Sequence, residues 1–156
     1  NTFTITPAPS SELTTNTIIQ KLTSLSIPHT TYLHPTSTTA EELVTNVPLP
    51  PTETHTKNLF LKDKKHGMFL VTTRTDSDVN TKALGKALDL KGKVNLRLAD
   101  EKTLDEVLGV KKGCVGPMCC MNAVKEGGED GVGGVTLVLD ERLFEEGKVE
   151  RIHSHP

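Results

Sequence analysis

His55-Thr56-Lys57-Asn58-Leu59-Phe60-Leu61-Lys62-Asp63-Lys64-Lys65-His66-Gly67-Met68-Phe69-Leu70-Val71-Thr72-Thr73 is the stretch whose reading decides the fold. Two runs rich in strand formers, Asn58 to Lys62 and Met68 to Thr73, flank the link Lys64-Lys65-His66-Gly67. Strand-length runs split by a polar, glycine-ended link predict a β-hairpin. Before the hairpin, Pro48-Leu49-Pro50-Pro51 must be loop, since consecutive prolines remove backbone donors and fix φ.

Upstream, Leu13, Ile18, Ile19, Leu22 and Leu25 recur at helical spacing over Ser11 to Ser26, and Pro28 ends the run. His29 to Leu33 alternates and reads as a strand, closed by His34-Pro35. Thr39-Ala40-Glu41-Glu42 is a capping box that opens a short helix through about Asn46. Downstream, Asn80 to Leu90 reads as a helix with Leu84, Ala87 and Leu88 inward, and Asn95 to Leu98 as a short strand. Thr103-Leu104-Asp105-Glu106 is a second capping box, for a helix ending at Gly109. Gly113 to Met121 reads as an irregular loop running into a strand, and Glu126 to Gly134 as a glycine-rich loop. Val135 to Leu139 is a buried strand, Asp140 to Glu146 a short helix, and Val149 to His153 begins a last strand. Helices and strands mix without strict alternation, which predicts an α+β fold on a mixed sheet.

A length of 156 residues suits one domain with one core, and an aromatic content of 3% makes that core aliphatic. No apolar run approaches the ~20 residues that span a bilayer, and Asn1 to Ser10 is a small polar lead-in without a signal region. The reading expects a cytoplasmic protein with no membrane partner. The net charge of -2 argues against long tracking along nucleic acid but leaves room for a local basic patch. Lysines gather at 57, 62, 64 and 65, with 82, 86, 91, 93, 111 and 112 further on, while acids dominate the C-terminal part. Cys114, Cys119 and Cys120, an odd count in one window, give neither a disulfide framework nor a zinc pattern. The reading calls for no metal and no cofactor.

Three features could carry chemistry. Lys57 precedes an apolar strand, where an ammonium in a partly dry cleft can hold a phosphate or polarise a carbonyl; solvated surface is its plainer role. Asn58 adds a neutral amide, but strand neighbours face opposite sides, so both serve one site only if the backbone is irregular there. Gly109-Val110-Lys111-Lys112-Gly113-Cys114-Val115-Gly116-Pro117 pairs glycines, which admit close backbone approach, with a stiffening proline. The two His-Pro pairs, His34-Pro35 and His155-Pro156, come third.

Together these segments resemble the YbaK/ProX family, the editing domains associated with prolyl-tRNA synthetase. The match is densest over His55 to Lys65. His34-Pro35 with Thr39 to Glu42, Val79 to Leu88, Leu108 to Pro117, Val138 to Asp140 and His155-Pro156 follow in the family's order. The resemblance spans roughly Ser11 to Pro156. It implies a barrel-like mixed sheet with flanking helices and hydrolysis of the ester joining a wrong amino acid to tRNA. Alanine on tRNA(Pro) is the leading substrate; cysteine or another small amino acid is the alternative. Carried over, Lys57 is the catalytic lysine. Thr39, Asn58, Gly113, Pro117 and His155 bind substrate, with His153 competing with His155 for the pocket. The implied partners are the acceptor end of tRNA(Pro) and a prolyl-tRNA synthetase, in cis or in trans. A non-catalytic tRNA-binding appendage of such a synthetase is the other functional class.

Two departures stand out. Gly116 occupies the position where the family often has Ser or Thr, which removes a hydroxyl from the loop. The family also continues past His-Pro with a strand and a helix. The expected organisation is therefore a lead-in over 1–10 and an editing domain over 11–156 that continues beyond its last residue.

Overall fold

The computed structural model describes residues 15–32, 34–35, 39–123, 134–145 and 149–154. The predicted hairpin is its centre. β1 (Glu53–Asp63) and β2 (Gly67–Arg74) pair antiparallel from Thr56↔Arg74 to Asp63↔Gly67. β1 is longer than the sequence reading, because its start gains a partner that lies far away in the chain: β5 (Arg151–His153) runs parallel to Glu53–His55. β3 (Arg97–Leu98) pairs with Leu61 and Lys62 on the same edge, and β4 (Val135–Leu139) runs parallel to β2. The result is a mixed five-stranded sheet, ordered β3-β1-β2-β4 with β5 beside β1. The α+β class is as expected; the sheet is open rather than closed into a barrel.

Asp63 fastens the hairpin turn. Its Oδ1 accepts from the backbone N–H of Lys65 (2.8 Å) and His66 (3.1 Å) and meets the His66 ring nitrogen at 2.8 Å. Its Oδ2 accepts from the Asn95 N–H at 2.6 Å, tying the turn to the segment before β3. An acid that organises the backbone two and three residues on is the usual aspartate turn device. These bonds, Asn95 first, hold the Asp63 carboxyl well below the usual carboxylate range.

The sheet is covered on both faces. Phe60, Leu70 and Val135 pack with Leu104 and Leu108 of α4 (Glu101–Leu108) and with Cys119, Cys120 and Ala123. On the other face Leu61, Phe69, Val71 and Leu96 pack with Leu84 and Leu88 beside α3 (Thr81–Ala87). Burying a leucine such as Leu70 or Leu108, each at 0% exposure, contributes about 1.5–3 kcal/mol. Gly85 lets α3 approach closely, since a Cβ there would meet Val94 at 3.0 Å. Burial of Cys120 in the first cluster pushes its thiol up to about 12.

Two helices lie outside these layers. α1 (Thr15–Ser24) covers the periodic run as far as Ser24, and Ile18 is its buried residue; Ser11 to Thr14 lie outside the described residues. α2 (Ala40–Asn46) opens on the predicted box: Thr39 Oγ1 accepts from the Glu42 N–H at 3.2 Å and Glu42 accepts from the Thr39 N–H at 3.3 Å.

Several expectations are corrected. His29 to Tyr32 form no strand; they are exposed and, among the described residues, no strand pairs with them, so strand propensity finds no ladder. Leu33 lies outside the described residues. Asp100, not Thr103, caps α4, and accepts from the Thr103 N–H at 2.8 Å. Thr103 sits one turn inside, because the cap belongs to the residue with extended backbone. Gly109 ends α4 as expected, at φ 65°. Ala87 is exposed rather than inward, since α3 stops there. Gly113 to Met121 leads into a 3-10 helix, Pro117–Met121, instead of a strand; proline presets its φ and has no N–H to leave unpaired. Val135 to Leu139 is a strand but not a buried one, since only Val135 of β4 is fully buried. In place of the Asp140 to Glu146 helix a 3-10 turn, Glu141–Phe144, forms, capped by Asp140; Glu146 lies outside the described residues. The predicted loop Glu126 to Gly134 lies outside the described residues up to Gly134.

Candidate active site

β1 is the spine of the site. Along an antiparallel ladder the peptide groups of successive residues face alternate edges. The His55 carbonyl accepts from Thr75 on the β2 side, and the Phe60 carbonyl accepts from Ala99 at 2.8 Å on the outer side. The peptide groups of Thr56 and Asn58 therefore also turn outward. There the edge is covered by β5 at Glu53–His55 and by β3 at Leu61–Lys62. Among the described residues no strand covers the stretch between. A cleft of about 590 Å³ opens over this gap.

Four of the sequence-predicted residues meet in it: Thr39, Lys57, Asn58 and Gly113 all line the cleft. Leu43 of α2, Phe60, Leu98, Leu104 and Val115 supply apolar wall. Lys57 is an interior residue of β1 rather than a junction residue, and the ladder through it is regular. The backbone irregularity that a site shared by Lys57 and Asn58 would require is therefore absent. Both border one cleft because the cleft lies over an open strand edge, which residues of either face can reach.

The Lys57 side chain is half-buried, and among the described residues its ammonium has no hydrogen bond or ion pair. Asn58 is committed: its Oδ1 accepts from the Thr72 hydroxyl at 2.7 Å, directly across the ladder. That leaves its amide N–H groups as donors. Thr39 is likewise engaged as the cap of α2, which places the helix at the rim. Gly113 has φ 90°, a backbone conformation side chains rarely adopt, and open space where a Cβ would stand. Glycine is required there by conformation rather than by crowding. Pro117 does not line the cleft; it starts the 3-10 helix behind the loop. His155 lies outside the described residues.

The alternative histidine is described. His153 lies beside His55 in the β1–β5 pairing, with ring centroids 5.0 Å apart, and its ring meets Tyr32 edge-on at 5.6 Å. Its carbonyl accepts from the Thr56 hydroxyl at 3.0 Å. His55 is buried and its Nε2 lies 2.8 Å from the Val47 carbonyl. These contacts make the pair a brace between β1, β5 and the end of α2, next to the cleft.

Sequence reasoning missed the acidic wall. Asp100 and Glu101, at the start of α4, and Lys112, in the glycine loop, line the same cleft. Lys62 forms an ion pair with Asp100 and also donates to the Thr103 hydroxyl at 3.2 Å. The Lys62 hydrogen bond, with the Thr103 contacts after it, holds the Asp100 carboxyl well below the usual range. The signal was available in the capping position of Asp100, but the competing Thr-x-x-Glu pattern hid it. The cleft thus carries an ammonium at Lys57 that is unpaired among the described residues, another cation at Lys112, a neutralised acid at Asp100 and apolar wall. Such a surface can hold a polar, phosphorylated group at one end and a small apolar one at the other.

Residues 34–149 match the family model described as aminoacyl-tRNA editing domain. The chain is 41% identical over 140 residues to prolyl-tRNA synthetase associated domain-containing protein 1 of Danio rerio, covering 86% of this chain and 67% of that protein. It is 38% identical over 138 residues to the Mus musculus protein of the same name, covering 88% and 75%. A crystal structure described as hypothetical protein APE2540 superposes with a TM-score of 0.62 at 18% identity, covering 88% of this chain and 82% of that one, which speaks to the fold alone. Among the described residues no helix is long and apolar enough to cross a membrane. With the match to the model over most of its length, the chain belongs to the aminoacyl-tRNA editing domain family, the YbaK and prolyl-tRNA synthetase associated group.

Proposed function

We propose that this chain hydrolyses the ester of mischarged tRNA(Pro), with alanyl-tRNA(Pro) as its leading substrate, in the cytoplasm and alongside a prolyl-tRNA synthetase in cis or in trans. The observation that carries this reading is Lys57: a half-buried ammonium with no partner among the described residues, on the wall of a cleft faced by a glycine loop. An ammonium without an internal counter-charge is available for a substrate phosphate or a developing oxyanion. A cleft of about 590 Å³ falls within the range that holds a nucleoside-sized ligand.

A synthetase pocket that admits proline cannot strongly reject the smaller alanine, so a second hydrolytic pocket is needed. In this reading the terminal adenosine and its ester enter over the open edge of β1. The Gly113 loop and the apolar wall confine the aminoacyl side chain to a small one. Water adds to the ester carbonyl, Lys57 stabilises the oxyanion, and the ribose oxygen leaves with a proton. Pro117 shapes the loop from behind, and His155 and Thr39 complete the pocket. No acyl-enzyme and no cofactor enters the scheme.

The test is a deacylation assay with alanyl-, cysteinyl-, seryl- and threonyl-tRNA. Faster hydrolysis of the alanyl ester supports the reading, and a preference for cysteine replaces the substrate. Retained tRNA binding without turnover of any ester would leave only a binding module.

A further inference from the structure

A second hollow, of about 160 Å³, lies at the turn end of the hairpin, bordered by Asp63, Lys64, Lys65, Lys93, Asn95 and Arg97. Its four basic side chains are exposed, and among the described residues none has an ion-pair partner. The neighbouring cations differ: Lys62 is held by Asp100 and Lys91 by Asp89. The acid within the hollow is spent, because Asp63 is buried and both its oxygens accept hydrogen bonds from Lys65, His66 and Asn95. The stripe has a local cause. Along 93–97 burial alternates, with Val94 and Leu96 packed on the core beneath and Lys93, Asn95 and Arg97 turned out. The surface is thus a fixed cluster of positive charge on a chain whose net charge is -2.

This hollow adjoins the cleft. Arg97 borders the one and Leu98 borders the other, and they are consecutive residues of β3. We infer that Lys64, Lys65, Lys93 and Arg97 form a phosphate-binding groove that seats the acceptor-stem backbone of tRNA while the aminoacyl end occupies the cleft. The inference rests on the proposed substrate but concerns a separate surface. Phosphate contacts supply most of the affinity for nucleic acid and carry its salt dependence. A strand wall shared by both hollows sets the spacing between the gripped backbone and the ester.

The experiment measures binding of uncharged tRNA by the whole chain across a salt series. The double variant Lys93→Gln/Arg97→Gln is compared with Lys82→Gln/Lys86→Gln, which removes the same charge from exposed positions of α3. The groove variant is expected to weaken binding on the order of tenfold and to lower the log–log salt slope by about two units. The α3 variant should leave the slope unchanged. Equal losses in the two variants overturn the groove, since net charge alone then governs binding. Inorganic phosphate separates the sources of the anion: weak binding of the free ion beside tight RNA binding supports the groove, and tighter binding of the free ion overturns it. Because the tRNA is uncharged, the two proposals fail separately. Groove-dependent binding without hydrolysis of alanyl-tRNA sinks the deacylase reading alone, and hydrolysis with an unchanged slope sinks the groove alone.

Discussion

The two hollows beside β1 handle charge in opposite ways. The cleft over its open edge mixes cations, acids and apolar wall, and one acid there, Asp100, is neutralised by Lys62. The hollow at the hairpin turn gathers cations around an acid already saturated by backbone N–H groups. The first arrangement can distinguish one small group from another, because shape and a few aimed charges act together. The second can only attract an anion. The difference teaches that the lysines of the His55 to Lys65 stretch are not equivalent. Among the described residues Lys57 is unpaired at a half-buried position, Lys62 is a structural clamp on α4, and Lys64 and Lys65 are solvated.

Substitutions can break that comparison in order of size. Lys57→Ala should lower kcat/KM for alanyl-tRNA by about 100-fold or more, the scale of losing one oxyanion donor, with the circular dichroism spectrum unchanged. Unchanged turnover would remove Lys57 from the chemistry. Gly113→Ala comes next. Its left-handed backbone strains any side chain by about 1–2 kcal/mol, so the loop should shift, with a roughly tenfold loss of kcat/KM read in the same assay. Thr39→Ala should cost about 1 kcal/mol in denaturant unfolding through loss of the cap. If turnover falls further than this destabilisation explains, Thr39 also touches substrate.

The smallest effects concern acid. Asp63 and Asp100 are held below the usual carboxylate range, and Asp140 is lowered to about 2 by Arg142 and Thr73. A depressed folded value means the carboxylate stabilises the fold at neutral pH. That contribution is complete above about pH 4 and drains away as pH falls further toward the folded value. Stability followed from pH 7 downward should therefore be flat and then fall. Asp63→Asn should be less stable at neutral pH and show a shallower fall in acid. Lys62→Met should leave tRNA binding nearly unchanged, in contrast to Lys93→Gln/Arg97→Gln. Equal weakening would erase the distinction between clamp and groove.

Much of the fold was legible in local signals. The hairpin, the Thr39 box, the Gly109 cap and the Val135 strand follow from spacing and from residues with one strong backbone preference. What failed depended on partners distant in sequence. His29 to Tyr32 has strand composition, but among the described residues no strand pairs with it. The start of β1 lacks an apolar pattern but becomes strand because β5 lies beside it. Near Asp100 two residues could cap one helix, and only the extended backbone of Asp100 selects it.

The sequence by itself determined the family resemblance, the α+β class and the choice of Lys57 and the Gly113 loop, because these rest on residue types in a fixed order. Tertiary structure decided that Lys57 and Asn58 border one cleft over a strand edge left unpaired among the described residues, and that Asp100 disarms Lys62 but not Lys57. It also set Lys93 and Arg97 beside Lys64 and Lys65. The physical reason is the same in each case: the edge of β1, the Lys62–Asp100 ion pair and the basic hollow each join segments tens of residues apart, which no local pattern encodes.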